Sequence, residues 1–147
     1  MKITERDFLT AVLNYTSGLI QDKKTDDAMF YMMKFKERFE KEYSNHEAYL
    51  ATFYSNLAIV YADKDDFQQA LAYDQKAYDI RKQVLGTYSK DMAITYISLA
   101  EDCLQFNRND EAKECIIKAE EICKAIFENE DNELYQKVLH AKYVLGI

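Results

Sequence analysis

The sequence predicts an all-α protein: three antiparallel helical hairpins and a C-terminal closing helix, stacked into a right-handed superhelix. Three observations lead there. Proline is absent and glycine occurs only three times in 147 residues. A many-stranded β protein would lack its turn residues, and nothing interrupts a helix. Apolar residues recur at i, i+3, i+4 and i+7 spacing along each segment. The pattern then repeats every 42 residues.

The period reads without gaps. Tyr54, Leu57 and Ala58 fall on Tyr96, Leu99 and Ala100. Ala70, Lys76, Ala77 and Ile80 fall on Ala112, Lys118, Ala119 and Ile122. One period back, Asn56, Ala70, Tyr73 and Lys76 fall on Asn14, Ala28, Tyr31 and Lys34. The first copy matches least, as terminal repeats usually do.

In chain order, the first hairpin is expected at 4–21 and 26–42, divided by the polar stretch 22–26. The second is expected at 47–63 and 67–85. Tyr54, Leu57, Ala58 and Tyr61 form one face of its first helix. The turn 63–66 follows, with Asp65 or Asp66 suited to cap the next helix. Phe67, Ala70, Leu71, Ala77, Tyr78, Val84 and Leu85 then continue the apolar spacing. The third hairpin is expected at 90–106 and 110–127, broken at 107–110, and a last helix at 132–145. Ala58 and Ala100 face Ala70 and Ala112 across their hairpins, so that backbones approach closely. A hairpin of this size cannot bury both faces alone, which is why it stacks on the next. The whole reads as one domain, residues 1–147.

Charge narrows the partners. The chain carries a net charge of −7, distributed as 0 over residues 1–46, −2 over 47–88 and −5 over 89–147. Phosphate backbones demand clustered Lys and Arg, so no nucleic acid is expected. Three scattered glycines cannot assemble a phosphate-cradling loop. No apolar run approaches 18 residues, so no membrane span is expected. Glu5 and Asp7 stand where a signal peptide would turn apolar, and Cys103, Cys115 and Cys123 are an odd number. The expectation is a cytoplasmic chain with reduced thiols.

The stretches 56–61, 66–71 and 77–86, followed by Ala93, Leu99 and Ala100, resemble the 42-residue tetratricopeptide repeats of the kinesin light chain type. That type has an asparagine-leucine-alanine start, an alanine-leucine in its second helix and a leucine-glycine end, here Leu85-Gly86. The resemblance is good over 47–127 and weaker over 4–42. Residues 132–145 look like half a repeat that caps the stack. HEAT and armadillo repeats share the period range but do not account for the alanine pairs.

The resemblance implies that the first helix of each hairpin lines a concave face. The inward column then holds Thr10, Leu13, Asn14 and Ser17; Thr52, Ser55, Asn56 and Ile59; and Ile94, Ile97, Ser98 and Glu101. Asn14 and Asn56 are one period apart. An amide offers two donors and an acceptor, and in the resembling family such asparagines hold the backbone of an extended peptide. Lysines and arginines that would clamp a C-terminal carboxylate are missing from this column. An apolar or basic segment suits it better.

Catalytic chemistry finds no support. His46 and His140 are 94 positions apart and have no ligands at metal spacing. The cysteine pattern C-x11-C-x7-C contains no CxxC, and Cys103 and Cys115 replace Tyr61 and Tyr73 as small buried fillers. Glu128, Glu130, Asp131 and Glu133 lack calcium-loop spacing and read as a solvated interhelix loop. No cofactor, no metal and no enzymatic activity are expected. The reading is a non-catalytic adaptor or scaffold that binds a protein or peptide in its concave groove. The alternatives are an assembly subunit that self-associates, or docks through its convex face or repeat ends, and a regulatory-peptide sensor.

Overall fold

The computed structural model describes residues 2–147, and those residues form seven helices and no strand. They are α1 (Glu5–Gln21), α2 (Thr25–Lys41), α3 (Glu47–Asp63), α4 (Phe67–Leu85), α5 (Lys90–Gln105), α6 (Asn109–Ile126) and α7 (Glu133–Leu145). The expected boundaries shift by a single residue at most. The reason lies at the caps. Thr4 is the N-cap of α1, where its hydroxyl accepts from Asp7 N–H and the Asp7 carboxylate accepts from Thr4 N–H. Asn132 likewise caps α7, accepting from Leu134 N–H at 2.9 Å. Of the two aspartates expected to cap α4, Asp66 does so, accepting from Gln69 N–H at 3.2 Å.

The turns inside the hairpins repeat with the sequence. Lys23, Asp65 and Asn107, each 42 residues apart, have left-handed backbones with φ of 58°, 62° and 57°. The next N–H donates five residues back in each case: Lys24 to Leu19, Asp66 to Tyr61 and Arg108 to Cys103, all at 2.9 Å. This six-to-one bond ends a helix by satisfying an orphan carbonyl. No glycine stands at any of the three left-handed sites, so each carries the steric cost of a Cβ there. Glycine does terminate α4 and α7, where Gly86 and Gly146 both have φ of 71°.

The chain divides into two units, one running to Ile80 and the other from Arg81, so the division falls inside α4. In the first unit α1 packs on α2 and α3, and α2 packs on α3. Leu9, Met32, Phe39, Phe53, Leu57 and Val60 are fully buried there. Phe39 and Phe53 stack at 4.5 Å. In the second unit α5 packs on α6, and α6 on α7. Met92, Ala93, Ile122 and Val138 form its center, and Glu120 ties α6 to α7 through Lys142 at 2.6 Å.

The small-residue positions behave as the period requires. Ala28, Ala70 and Ala112 are 0% exposed, and Ala58 and Ala100 are 1% and 2% exposed. Thr16, one period before Ala58, is also fully buried, and its hydroxyl donates to the Val12 and Leu13 carbonyls. Among the described residues, no helix is long and apolar enough to cross a membrane.

Candidate functional site

The first unit gathers five of the twelve expected inward positions into one groove of about 390 Å3 between α1 and α3. Thr10, Leu13, Asn14 and Ser17 form the α1 wall, and Thr52 stands on the α3 wall. The helical spacing of α1 puts these four residues on one stripe, because three- and four-residue steps recur on one face. Leu13 is the buried floor, whereas Asn14 reaches solvent. Asn56 lies half-buried, and its amide Nδ2 donates to Ser17 Oγ at 3.2 Å. The two asparagines therefore differ in state: Asn14 is open to solvent, and Asn56 already spends one donor across the helices. Ser55 is half-buried and Ile59 is 44% exposed on the same helix.

Two wall residues escaped the column. Ala48 and Tyr49 also line the groove. The Tyr49 hydroxyl accepts from Arg6 Nε at 3.4 Å and from Thr10 Oγ1 at 3.5 Å. Those two donors hold the phenol below its ordinary range. Tyr49 adds an aromatic face with a polar tip, and Arg6 adds a cation at the rim. They were missed because the column was counted in steps that skip the first turn of α3.

The second unit holds the rest of the column on α5. Ile97 and Glu101 line a cleft of about 220 Å3 shared with α7. Ile94, 39% exposed, and Ser98, half-buried, lie on the same helix outside that lining. The far wall is α7, with Lys137, His140 and Ala141. His140 is one period beyond Ser98, so carrying the period into the closing helix would have placed it in the inward column. Glu101 is exposed at this cleft; partial burial and the neighbouring Asp102 push its carboxyl up, against the lowering pull of Lys137.

The other histidine is structural. His46 Nε2 lies 3.0 Å from Glu5 Oε2, and its ring sits edge-on to Tyr43 and Tyr49. Cys103 and Cys123 are buried and Cys115 is half-buried. Burial pushes the Cys115 thiol up to about 11 and raises the other two as well. All three are therefore neutral thiols at neutral pH, poor nucleophiles and poor metal ligands. Among the described residues no group of three His, Cys, Asp or Glu side chains could hold a metal ion. The acidic stretch around Glu128, Glu130 and Asp131 is exposed between α6 and α7.

What the geometry can do is hold a polypeptide. Its polar groups are amides, hydroxyls, the Tyr49 phenol, the Glu101 carboxylate, Lys137 and His140, set among aliphatic side chains. No curated protein matches the chain. Residues 49–125, more than half of its length, match the tetratricopeptide repeat. Repeats of this kind generally mediate protein–protein interaction and scaffolding. With its helical hairpins, its buried alanine positions and its 42-residue register, the chain belongs to the tetratricopeptide repeat family.

Proposed function

We propose that the protein is a cytoplasmic, non-catalytic adaptor that binds a peptide segment on the inward faces of its first helices. The observation that carries this reading is the α1–α3 groove, where an open amide at Asn14, hydroxyls at Thr10, Ser17 and Thr52, and the apolar floor of Leu13 converge. Amide and hydroxyl groups pair with peptide backbone, and the floor takes side chains. Helices hold these groups in place beforehand, so the receptor loses little entropy on binding. Three neutral thiols, two of them buried, suit a reducing compartment.

The test uses peptides selected from a random library on the immobilised full chain, their affinity then measured by calorimetry. Asn56→Ala is expected to weaken the selected peptide at least tenfold while the thermal midpoint moves little. Ser17→Ala removes the same internal hydrogen bond and one groove hydroxyl but keeps the Asn56 amide, and should weaken the peptide less than Asn56→Ala does. Equal affinities for wild type and Asn56→Ala would end the groove reading.

A second reading, self-association or docking through the end of the first hairpin, is favoured by Tyr15. It stands one period before the fully buried Leu57 yet is 52% exposed, beside Tyr31 at 5.0 Å, and Phe30 is 63% exposed. Mass measured by light scattering over a wide concentration range separates the two readings. A strict monomer argues for the groove alone, and a dimer dispersed by Tyr15→Ser argues for the end.

A further inference from the structure

The end of the first hairpin carries an aromatic cluster that the repeat register does not account for. Tyr15 is exposed on α1 and Phe30 on α2. Tyr31 stands between them, edge-on to Tyr15 at 5.0 Å and to Phe30 at 5.4 Å. The positions one and two periods after Tyr15, Leu57 and Leu99, are 0% and 6% exposed. One and two periods after Phe30 stand Ala72 and Glu114, both exposed. That column faces outward in all three copies, and a large ring there is dispensable to the hairpin.

The charges beside the cluster say what covers it. Along α2, Asp27, Phe30, Tyr31 and Lys34 are spaced at i, i+3, i+4 and i+7, so they share one stripe. Asp26 pairs with Lys64 and Glu37 with Lys41. Asp27 and Lys34 are exposed, and among the described residues neither forms an ion pair. Lys76 and Lys118, one and two periods after Lys34, lie over the rings of Tyr54 and Tyr96. Val12 stands where Lys34 would need such a ring. An acid and a base seven residues apart, with aromatics between them, make a self-complementary stripe. When two such stripes meet antiparallel about a two-fold axis, Asp27 of each copy faces Lys34 of the other, and the aromatics meet between these pairs. The charge distribution agrees. Residues 1–46 are net 0 in a chain of −7, so contact here brings the least like charge together.

We propose that a second copy of this chain docks on the end of the first hairpin, α2 against α2 about a two-fold axis. The cluster of Tyr15, Phe30 and Tyr31 lies in the middle of that contact, and two Asp27–Lys34 pairs close its edges. This rests on the second reading above, self-association through that end, and goes further by naming the occupant and the pairing that selects it.

Analytical ultracentrifugation of the full chain, from micromolar to millimolar concentration, tests this. Wild type is expected to pass from monomer to dimer. Asp27→Lys and Lys34→Asp each set like charges across the axis, and each should weaken the dimer by about tenfold or more. Both positions are exposed, so neither change disturbs the core. Mixed in equal amounts, the two variants complement each other, because the lysines of one meet the aspartates of the other. A heterodimer of near wild-type strength should then form. A wild type that stays monomeric throughout, as it would if a different protein covered this face, overturns the proposal and the second reading together. Single variants that dimerise as well as wild type, or a mixture that stays monomeric, overturn the pairing alone. Tyr15→Ser separates the two failures: if it disperses a dimer that the charge variants leave intact, the second reading stands and the proposal falls.

Discussion

Tyr54 in the first unit and Tyr96 in the second sit in matching places. Both are 6% exposed, and each lies under a lysine one period apart, Lys76 at 5.4 Å and Lys118 at 5.7 Å from the ring center. Two turns further along the match ends. Tyr61 and Tyr73 stack with parallel rings 5.6 Å apart, whereas the same positions one period on are Cys103 and Cys115. The closing helix departs further, with Ala141 where leucine stood twice before. The frame of alanines and left-handed turns is kept, and the side chains that fill it are free to change. Where the filling shrinks to alanine, a cleft opens, and the acidic third of the chain borders it.

Five substitutions probe this contrast. Leu57→Ala imitates Ala141 at a covered site, and should cost about 2–5 kcal/mol because a cavity remains among fully buried neighbours. Chemical denaturation reads it; a cost under about 1 kcal/mol would mean that the two positions are not equivalent. Ala70→Leu adds volume where none is available and should cost about 1–3 kcal/mol. A neutral result would contradict the close approach assigned to that helix. Lys23→Gly relieves a left-handed lysine with φ of 58° and should gain roughly 0.5–1 kcal/mol, visible as a raised thermal midpoint. The same change at Asn107 should gain less, since asparagine tolerates that backbone better.

The last concerns the thiol that replaced a ring. Cys115 is raised to about 11 in the folded chain, against about 8.5 when unfolded. Between these values the folded state holds the proton that the unfolded state has released. Its contribution to stability is therefore complete below about 8.5 and is lost as pH rises toward 11. Denaturation midpoints of wild type and Cys115→Ser should run parallel at pH 7–8 and converge above it. Parallel curves throughout would mean an ordinary thiol.

Most of the helix map was legible because polar breaks at 22–26, 63–66 and 107–110 interrupt an otherwise regular apolar spacing. The left-handed backbone at Lys23 was not legible, since lysine carries no signal for it; the six-to-one bond imposes it. The α1 half of the groove was legible in full, because four residues on one helix stripe must share a face. Tyr49 and Arg6 were not, because their place depends on how α3 lies against α1. His140 read as an ordinary histidine. Its place in the cleft follows only once the period is carried into a helix whose own pattern is too short to reveal it.

In the proposed function, the first helices of the hairpins hold the partner. Chemical-shift mapping with a library-selected peptide tests it most directly. The perturbed amides are expected on α1 and α3, centered on Leu13, Asn14, Ser17 and Thr52. Perturbations confined to the second helices, α2, α4 and α6, would contradict it.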